Sequence, residues 1–213
     1  VANQPKYKNV PAPSKLLDWQ GQTAVVIASG PSLTTEACEI VRLGPLGVRT
    51  IAVNRAFERA PWAEVVYMGD RRCLQQYHKQ VPSLSQLWSN DSMAAEMFGA
   101  CWARYVYEPG ISPTRIRGNG NSGMQAINLA ALFGAKRILL LGFDMKRGPN
   151  GERHFHPDHP APLTQEQPFS DWIFKGKKVA DDLRALGVDC VDCTPGGALE
   201  GFAKGDIGEE LKR

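Results

Sequence analysis

Long apolar runs are missing from this chain: nothing approaches the ~18 consecutive apolar residues that a membrane-spanning helix needs. The longest apolar stretch, Ile138 to Phe143, has the length of a strand. The opening residues, VANQPKYKNVPAPSK, lack the apolar core of a signal peptide. These absences predict a soluble, cytoplasmic protein with no membrane span. Cysteine is sparse and odd in number: five residues, Cys38, Cys73, Cys101, Cys190 and Cys193, are scattered along the chain. That distribution excludes a disulfide framework and predicts free thiols in a reducing compartment. The spacing Cys190-x-x-Cys193 looks like a redox or zinc motif, but VDCVDC reads as a strand, where positions three apart face opposite ways. Blocks of basic residues are absent too, and a net charge of +3 permits anionic ligands without a nucleic-acid arm. GxxxxGK[ST] does not occur, and the turn after the first apolar run, SGPSL, is Gly-poor compared with a dinucleotide fingerprint, which argues against a P-loop kinase and a dinucleotide-dependent dehydrogenase.

What is present fits one domain. A chain of 213 residues, 43% hydrophobic, can bury one sizeable core. The first 20 residues, proline-rich and without periodicity, read as an N-terminal arm, and residues 21–213 as a single α/β domain. TAVVIASG is a short continuous apolar run ending in small residues, the pattern of a central parallel strand covered on both faces. RTIAVN, AEVVYMGD, KRILLLGFD and VDCVDC repeat it, with a small strand at ARYVYE. TTEACEIVRL, RRCLQQYHKQ, LSQLWSNDSMAAEMF, NSGMQAINLAALFGA and FSDWIFKGKKVADDLRALG read as helices. Strands alternating with helices predict a Rossmann-like α/β fold, a mostly parallel sheet with helices on both faces. The Pro-rich stretch from Lys146 to Pro168 is too long for an ordinary connection and reads as a His-bearing lid loop.

Ligands of open parallel sheets bind beyond the carboxyl ends of the strands. Those ends read Ser29-Gly30-Pro31-Ser32, Asn54-Arg55, Gly69-Asp70 and Gly142-Phe143-Asp144. GNGNSG, residues 118 to 123, precedes a helix, so its backbone N–H groups and the helix dipole favour an anion such as a phosphate; the same residues would also make a capped turn. HFHPDH, residues 154 to 159, gathers three of the four histidines. It matches HxHxDH of zinc hydrolases, yet no histidine follows His159 to complete a metal shell. Imidazole is also the side chain suited to accept a proton near neutral pH, with Asp158 or a backbone carbonyl to orient the ring.

Taken together, VVIASGPSL, IAVNRAF, NSGMQAINLAALFGAKRILLLGFDM, the histidine loop and VDCVDCTPGGALEGF resemble the bacterial lipooligosaccharide sialyltransferases and their relatives. The relatives include flagellin-modifying Maf proteins, the archaeal hydroxymethyl-dihydropterin pyrophosphokinase and, above all, proteins of bacteriophage and prophage genomes. The resemblance spans about residues 23 to 203. It implies a metal-independent transferase whose nucleotide-binding domain takes a nucleotide-activated donor, a CMP- or UDP-type nucleotide sugar. Ser29, Gly30, Pro31, Ser32, Asn54, Asp70, Asn119, Gly120, Asn121, Ser122, Gly123, Asp144 and Lys146 would form the donor site. His159 would be the general base, with His154 second and Asp158 beside it. Two departures stand out: Asn119, with Arg115 and Arg117 nearby, replaces the family's arginine, and Lys146 replaces a phosphate-contacting tyrosine. A cation preserves phosphate binding better than sialic-acid specificity. The acceptor could be a glycan, a protein, a small molecule or a modified DNA base. The pterin relatives imply a second reading, (pyro)phosphoryl transfer with Mg²⁺ on Asp70, Asp144 or Asp158, or hydrolysis. A third is a nucleotide-binding module without catalysis. Trp88 and Trp102 are candidates for a homo-oligomer surface and equally for the core.

Overall fold

The computed structural model describes residues 12–160 and 168–213. Its centre is a sheet of eight strands, every neighbouring pair parallel. In chain order these are β1 (Thr23–Ile27), β2 (Arg49–Val53), β3 (Val65–Tyr67), β4 (Gln86–Ser89), β5 (Cys101–Trp102), β8 (Arg137–Leu141), β9 (Asp189–Asp192) and β10 (Ala203–Lys204). Across the sheet the order is β10-β9-β8-β1-β2-β3-β4-β5. Between β5 and β8 a short parallel pair, β6 (Tyr105–Val106) and β7 (Ile116–Arg117), forms a separate ribbon. The helices are α1 (Thr35–Arg42), α2 (Arg71–Tyr77), α3 (Ser92–Phe98), α4 (Ser122–Leu132), α5 (Phe169–Ala185) and α6 (Ile207–Glu210).

The unbroken apolar strands follow from burial on two sides. Ala24 and Val26 of β1 point into a core with α4 and α5, where Met124, Ile127, Ala130, Val179 and Leu183 meet them. Val25 and Ile27 point the other way, onto Cys38 and Val41 of α1, Leu74 of α2, Ala94 of α3 and Ile207 of α6. This is the period-two alternation of a strand with apolar layers on both faces. The expected α/β architecture with helices on both faces is therefore the observed one. Cys190 packs against the first core and Cys193 lies in the second, so the CxxC pair is split across the sheet as strand geometry requires.

One expectation is corrected. Residues 84–98 do not form one helix: Gln86–Ser89 is the strand β4, paired parallel to β3 with Tyr67 opposite Trp88, and the helix starts only after the Asp91 cap. Trp88 is 0% exposed, so it is core rather than an association surface. It meets Phe133 edge-on at 5.0 Å, and Trp19 meets the same ring at 4.7 Å. The second half of the N-terminal arm is thereby fixed: Trp19 is buried, its backbone N–H donates to Phe133 O at 2.7 Å, and Ser14 exchanges hydrogen bonds with Trp102. Residues 1–11 and 161–167, parts of the arm and of the expected lid loop, lie outside the described residues.

Candidate active site

Strand order reverses between β1 and β8: from β1 the chain builds outward through β2 to β5, and from β8 through β9 and β10. A crevice forms at the carboxyl ends on either side of such a switch. The two strand ends stay hydrogen-bonded past their last ladder residues, with Ala28 N to Leu141 O at 2.8 Å and Gly30 N to Gly142 O at 3.0 Å. That approach explains Gly30, because a Cβ there would stand 1.9 Å from Asp144 Oδ2. Asp144 is 4% exposed and accepts Ser32 N at 3.1 Å and Ser32 Oγ at 2.9 Å, one on each carboxylate oxygen. Burial raises its pKa, against the opposing pull of the Ser32 hydrogen bonds. Ser29 Oγ donates to Val53 O at 3.1 Å and so ties the β1 end to the β2 end.

Among the described residues, three non-glycine residues have positive φ, Asn54 at 52°, Asn119 at 53° and Met145 at 50°, and all three belong to the strand-end and helix-entry turns around this crevice. Asn tolerates the left-handed region, whereas a Met there carries strain, a feature that collects at functional sites. Gly120, Asn121, Ser122 and Gly123 bring the α4 N-terminus to the crevice, and Asn121 caps it by accepting Met124 N at 3.1 Å. Gly123 is required by packing, since a Cβ would come 2.7 Å from the Phe143 ring.

The histidine loop is stitched onto the same end of the sheet. Phe155 N donates to Ser29 O at 3.2 Å, and the Phe155 ring lies under the Arg59 guanidinium at 4.3 Å. The three imidazoles pack together: His154 and His156 stack at 4.8 Å, and His159 stands edge-on to them at 5.4 and 5.0 Å. His156 is 7% exposed, with a buried Nε2 that has no hydrogen-bond partner among the described residues. Its Nδ1 lies 2.7 Å from Pro157 O, which demands a proton there, and 3.1 Å from Arg55 Nη1, which demands a lone pair. The shorter contact favours Nδ1–H, with Arg55 donating to Pro157 O at 3.4 Å. Burial, reinforced by His159, pushes His154 down to about 4. Burial together with the other histidines and Arg55 pushes His156 down to about 3. His159 is also lowered, by burial and then by Arg55, while Asp158, Glu58 and Asp70 pull the other way. Each of the three shifts favours the neutral imidazole. Among the described residues, no group of three or more His, Cys, Asp or Glu is placed to hold a metal ion.

The crevice has a volume of about 250 Å³. Of the residues expected from sequence, Ser29, Gly30, Pro31, Asn54, Gly120, Asn121, Ser122, Gly123, Asp144, Lys146, His154, Asp158 and His159 line it. Three do not. Ser32 stands behind, holding Asp144. Asp70 caps α2 by accepting Arg72 N at 2.7 Å. Asn119 is 3% exposed and turned inward, accepting from Gly110 N at 2.7 Å and donating to Gly110 O at 3.0 Å, so it anchors the loop before α4. Arg117 is likewise engaged with Pro109 O and Glu108. The cations on the crevice are Lys146 and Arg153, the latter 3.9 Å from Asp158. Tyr77 Oη lies 3.0 Å from His159 Nδ1 and can orient the ring. Sequence reasoning missed Tyr77, Arg153 and the aromatic wall of Phe169 and Trp172, whose indole Nε1 is buried without a partner among the described residues. Nothing local marks these residues, because each comes to the site through the fold. Arg55 alone had a signal, its place beside Asn54 at a strand end.

No protein-family model and no curated protein sequence matches this chain. Among solved structures, the sialyltransferase CstII from Campylobacter jejuni, determined with the substrate analogue cytidine-5'-monophosphate, aligns with a TM-score of 0.54 at 12% identity, covering 87% of this chain and 85% of that one. A short-chain dehydrogenase/reductase from Serratia marcescens aligns with a TM-score of 0.31 at 15% identity, over 91% of this chain and 89% of that one. One from Mycobacterium smegmatis aligns with a TM-score of 0.30 at 14% identity, over 96% and 90%. The chain thus shares a sialyltransferase-like fold with CstII. Among the described residues no helix is long and apolar enough to cross a membrane.

Proposed function

We propose that the protein is a glycosyltransferase-like enzyme that binds a nucleotide-activated donor, most simply a nucleotide sugar, in the crevice at the switch between β1 and β8. The observation that carries this reading is the convergence, on one crevice, of a capped helix N-terminus, a lysine and a histidine held neutral. The N–H groups at Gly120 to Gly123 and the ammonium of Lys146 are the groups for the donor phosphate. Ser29, Gly30 and Asn54 line the same crevice. His159 takes the proton of an acceptor hydroxyl while that oxygen attacks the donor's anomeric carbon. The carbon–oxygen bond to phosphate breaks, and the nucleotide leaves with the electron pair, its charge met by the helix N–H groups and Lys146. That CstII was determined with cytidine-5'-monophosphate makes cytidine donors the first to try. No step in this scheme draws on a metal ion.

The test is release of free nucleotide from a panel of CMP- and UDP-sugars by the metal-stripped enzyme. His159→Ala is expected to lower turnover by ~10²–10⁴-fold, the usual contribution of a positioned base. Turnover that needs a divalent cation, or that survives unchanged in His159→Ala, would overturn the reading.

A further inference from the structure

A histidine acts as base through the ring nitrogen that carries a lone pair, and the partner of the other nitrogen decides which one that is. At His159 that partner comes from an element far away in sequence. Tyr77, the last residue of α2, is 5% exposed, and its hydroxyl lies 3.0 Å from His159 Nδ1 across a separation of 82 positions. The two rings stand 5.6 Å apart at 57°. Behind Tyr77, the Arg55 guanidinium sits 5.3 Å from the phenol centroid and is itself clamped by Glu58 at 2.6 and 3.1 Å. Arg55 side-chain exposure is 17%, so the cation is held between Glu58, Tyr77 and the His156-Pro157 turn rather than in open solvent.

A phenol oxygen can donate one hydrogen bond and accept others. Arg55 can only donate. If Tyr77 donated to Nδ1, the ring proton would sit on Nε2 and His159 would have no site for an acceptor proton. If Tyr77 accepts from Nδ1–H, Nε2 carries the lone pair, and the imidazolium formed on proton uptake strengthens the Nδ1–H···Oη bond. Burial and then the Arg55 cation disfavour the charged His159 ring, while Asp158, Glu58 and Asp70 lower the cost of charging it.

Resting on the assignment of His159 as base, we infer that Tyr77 is a positioning residue: it accepts Nδ1–H and holds His159 in the tautomer whose Nε2 takes the proton. Burial keeps the phenol pKa raised, so Tyr77 stays a neutral acceptor through neutral pH. Arg55 and Glu58 fix the phenol and complete a relay from the end of β2, through the end of α2, to the loop.

The decisive experiment needs no substrate. ¹⁵N NMR of the protein labelled at histidine, with the His159 signals identified by their loss in His159→Ala, reports the tautomer directly. Expected is Nδ1–H in the wild type and a shift away from it in Tyr77→Phe, which keeps the ring and removes only the hydroxyl. An Nε2–H resting tautomer overturns the inference, and because it is read on the unaltered protein the outcome does not depend on the variant folding. In turnover with the donor, Tyr77→Phe is expected to lower kcat by roughly ten- to a hundredfold at unchanged KM, the loss of one hydrogen bond to a charged group. If His159→Ala abolishes turnover while Tyr77→Phe does not change it, the positioning role falls and the base assignment stands. If His159→Ala turns over like the wild type, the base assignment falls and takes the role of Tyr77 with it.

Discussion

Asp144 shows how a single residue serves both the fold and the crevice. Its two carboxylate oxygens take the two Ser32 donors, and it crowds Gly30 so closely that no side chain fits there. Asp144→Asn offers one oxygen for two donors and turns an amide N–H toward Ser32. It is expected to cost ~1–3 kcal/mol, one buried hydrogen bond left unmade, and urea unfolding measures it. The histidines give a pH prediction of definite sign. Their folded-state pKa values lie below the ordinary 6.5, at about 4 for His154 and about 3 for His156. Stability from keeping them neutral is fully present above about 6.5 and is lost as the pH falls toward 4 and 3. The melting temperature should fall across that window, and fall less in a His154→Asn/His156→Asn variant; equal slopes would count against the buried neutral cluster. Much of the residue scale was legible in sequence. Small and polar residues ending apolar strands mark the crevice whatever the fold's details, so Ser29, Gly30, Asn54 and Asp144 could be named. Asn119 was misplaced because a residue in a glycine-rich turn has no sequence sign of where its side chain points, and here it binds Gly110.

Elements with one strong signal were readable, and those needing a partner were not. Strand β1 and helix α4 follow from apolar pattern and capping, and both are where the pattern puts them. Strand β4 escaped because four residues, Gln86–Ser89, become a strand through their place beside β3 rather than through any local propensity. The N-terminal arm escaped for the same reason: Trp19 looks solitary in sequence, yet it fills the end of the core against Phe133. Trp19→Ala should destabilise by ~3–5 kcal/mol, as a large buried aromatic does when truncated. A change below ~1 kcal/mol in chemical denaturation would mean that the arm is dispensable. The histidine loop combines both cases. Its composition is readable from sequence, while its attachment, through Phe155 to Ser29 and through His159 to Tyr77, depends on the chain returning to the β1 end.

At the scale of the molecule, the eight-stranded parallel sheet gathers segments far apart in sequence at one crevice. The β1 turn, the β2 end, the α4 entry, the β8 end and the histidine loop all meet there. Each segment alone admits a purely structural explanation, and for Gly30 and Gly123 packing is reason enough. Their meeting at the switch point is what a donor site requires. A ligand that binds only the folded state raises its stability by mass action, ~2.7 kcal/mol at a hundredfold excess over Kd. For a domain of this size that is a rise in melting temperature of roughly 5–11 °C. The most direct measurement is therefore the melting temperature of the metal-stripped protein with CMP, UDP, their sugars, zinc and manganese, each added alone. The account predicts a rise with at least one nucleotide or nucleotide sugar in the absence of metal. A rise with zinc or manganese alone, and with no nucleotide, would contradict it and make the histidines metal ligands.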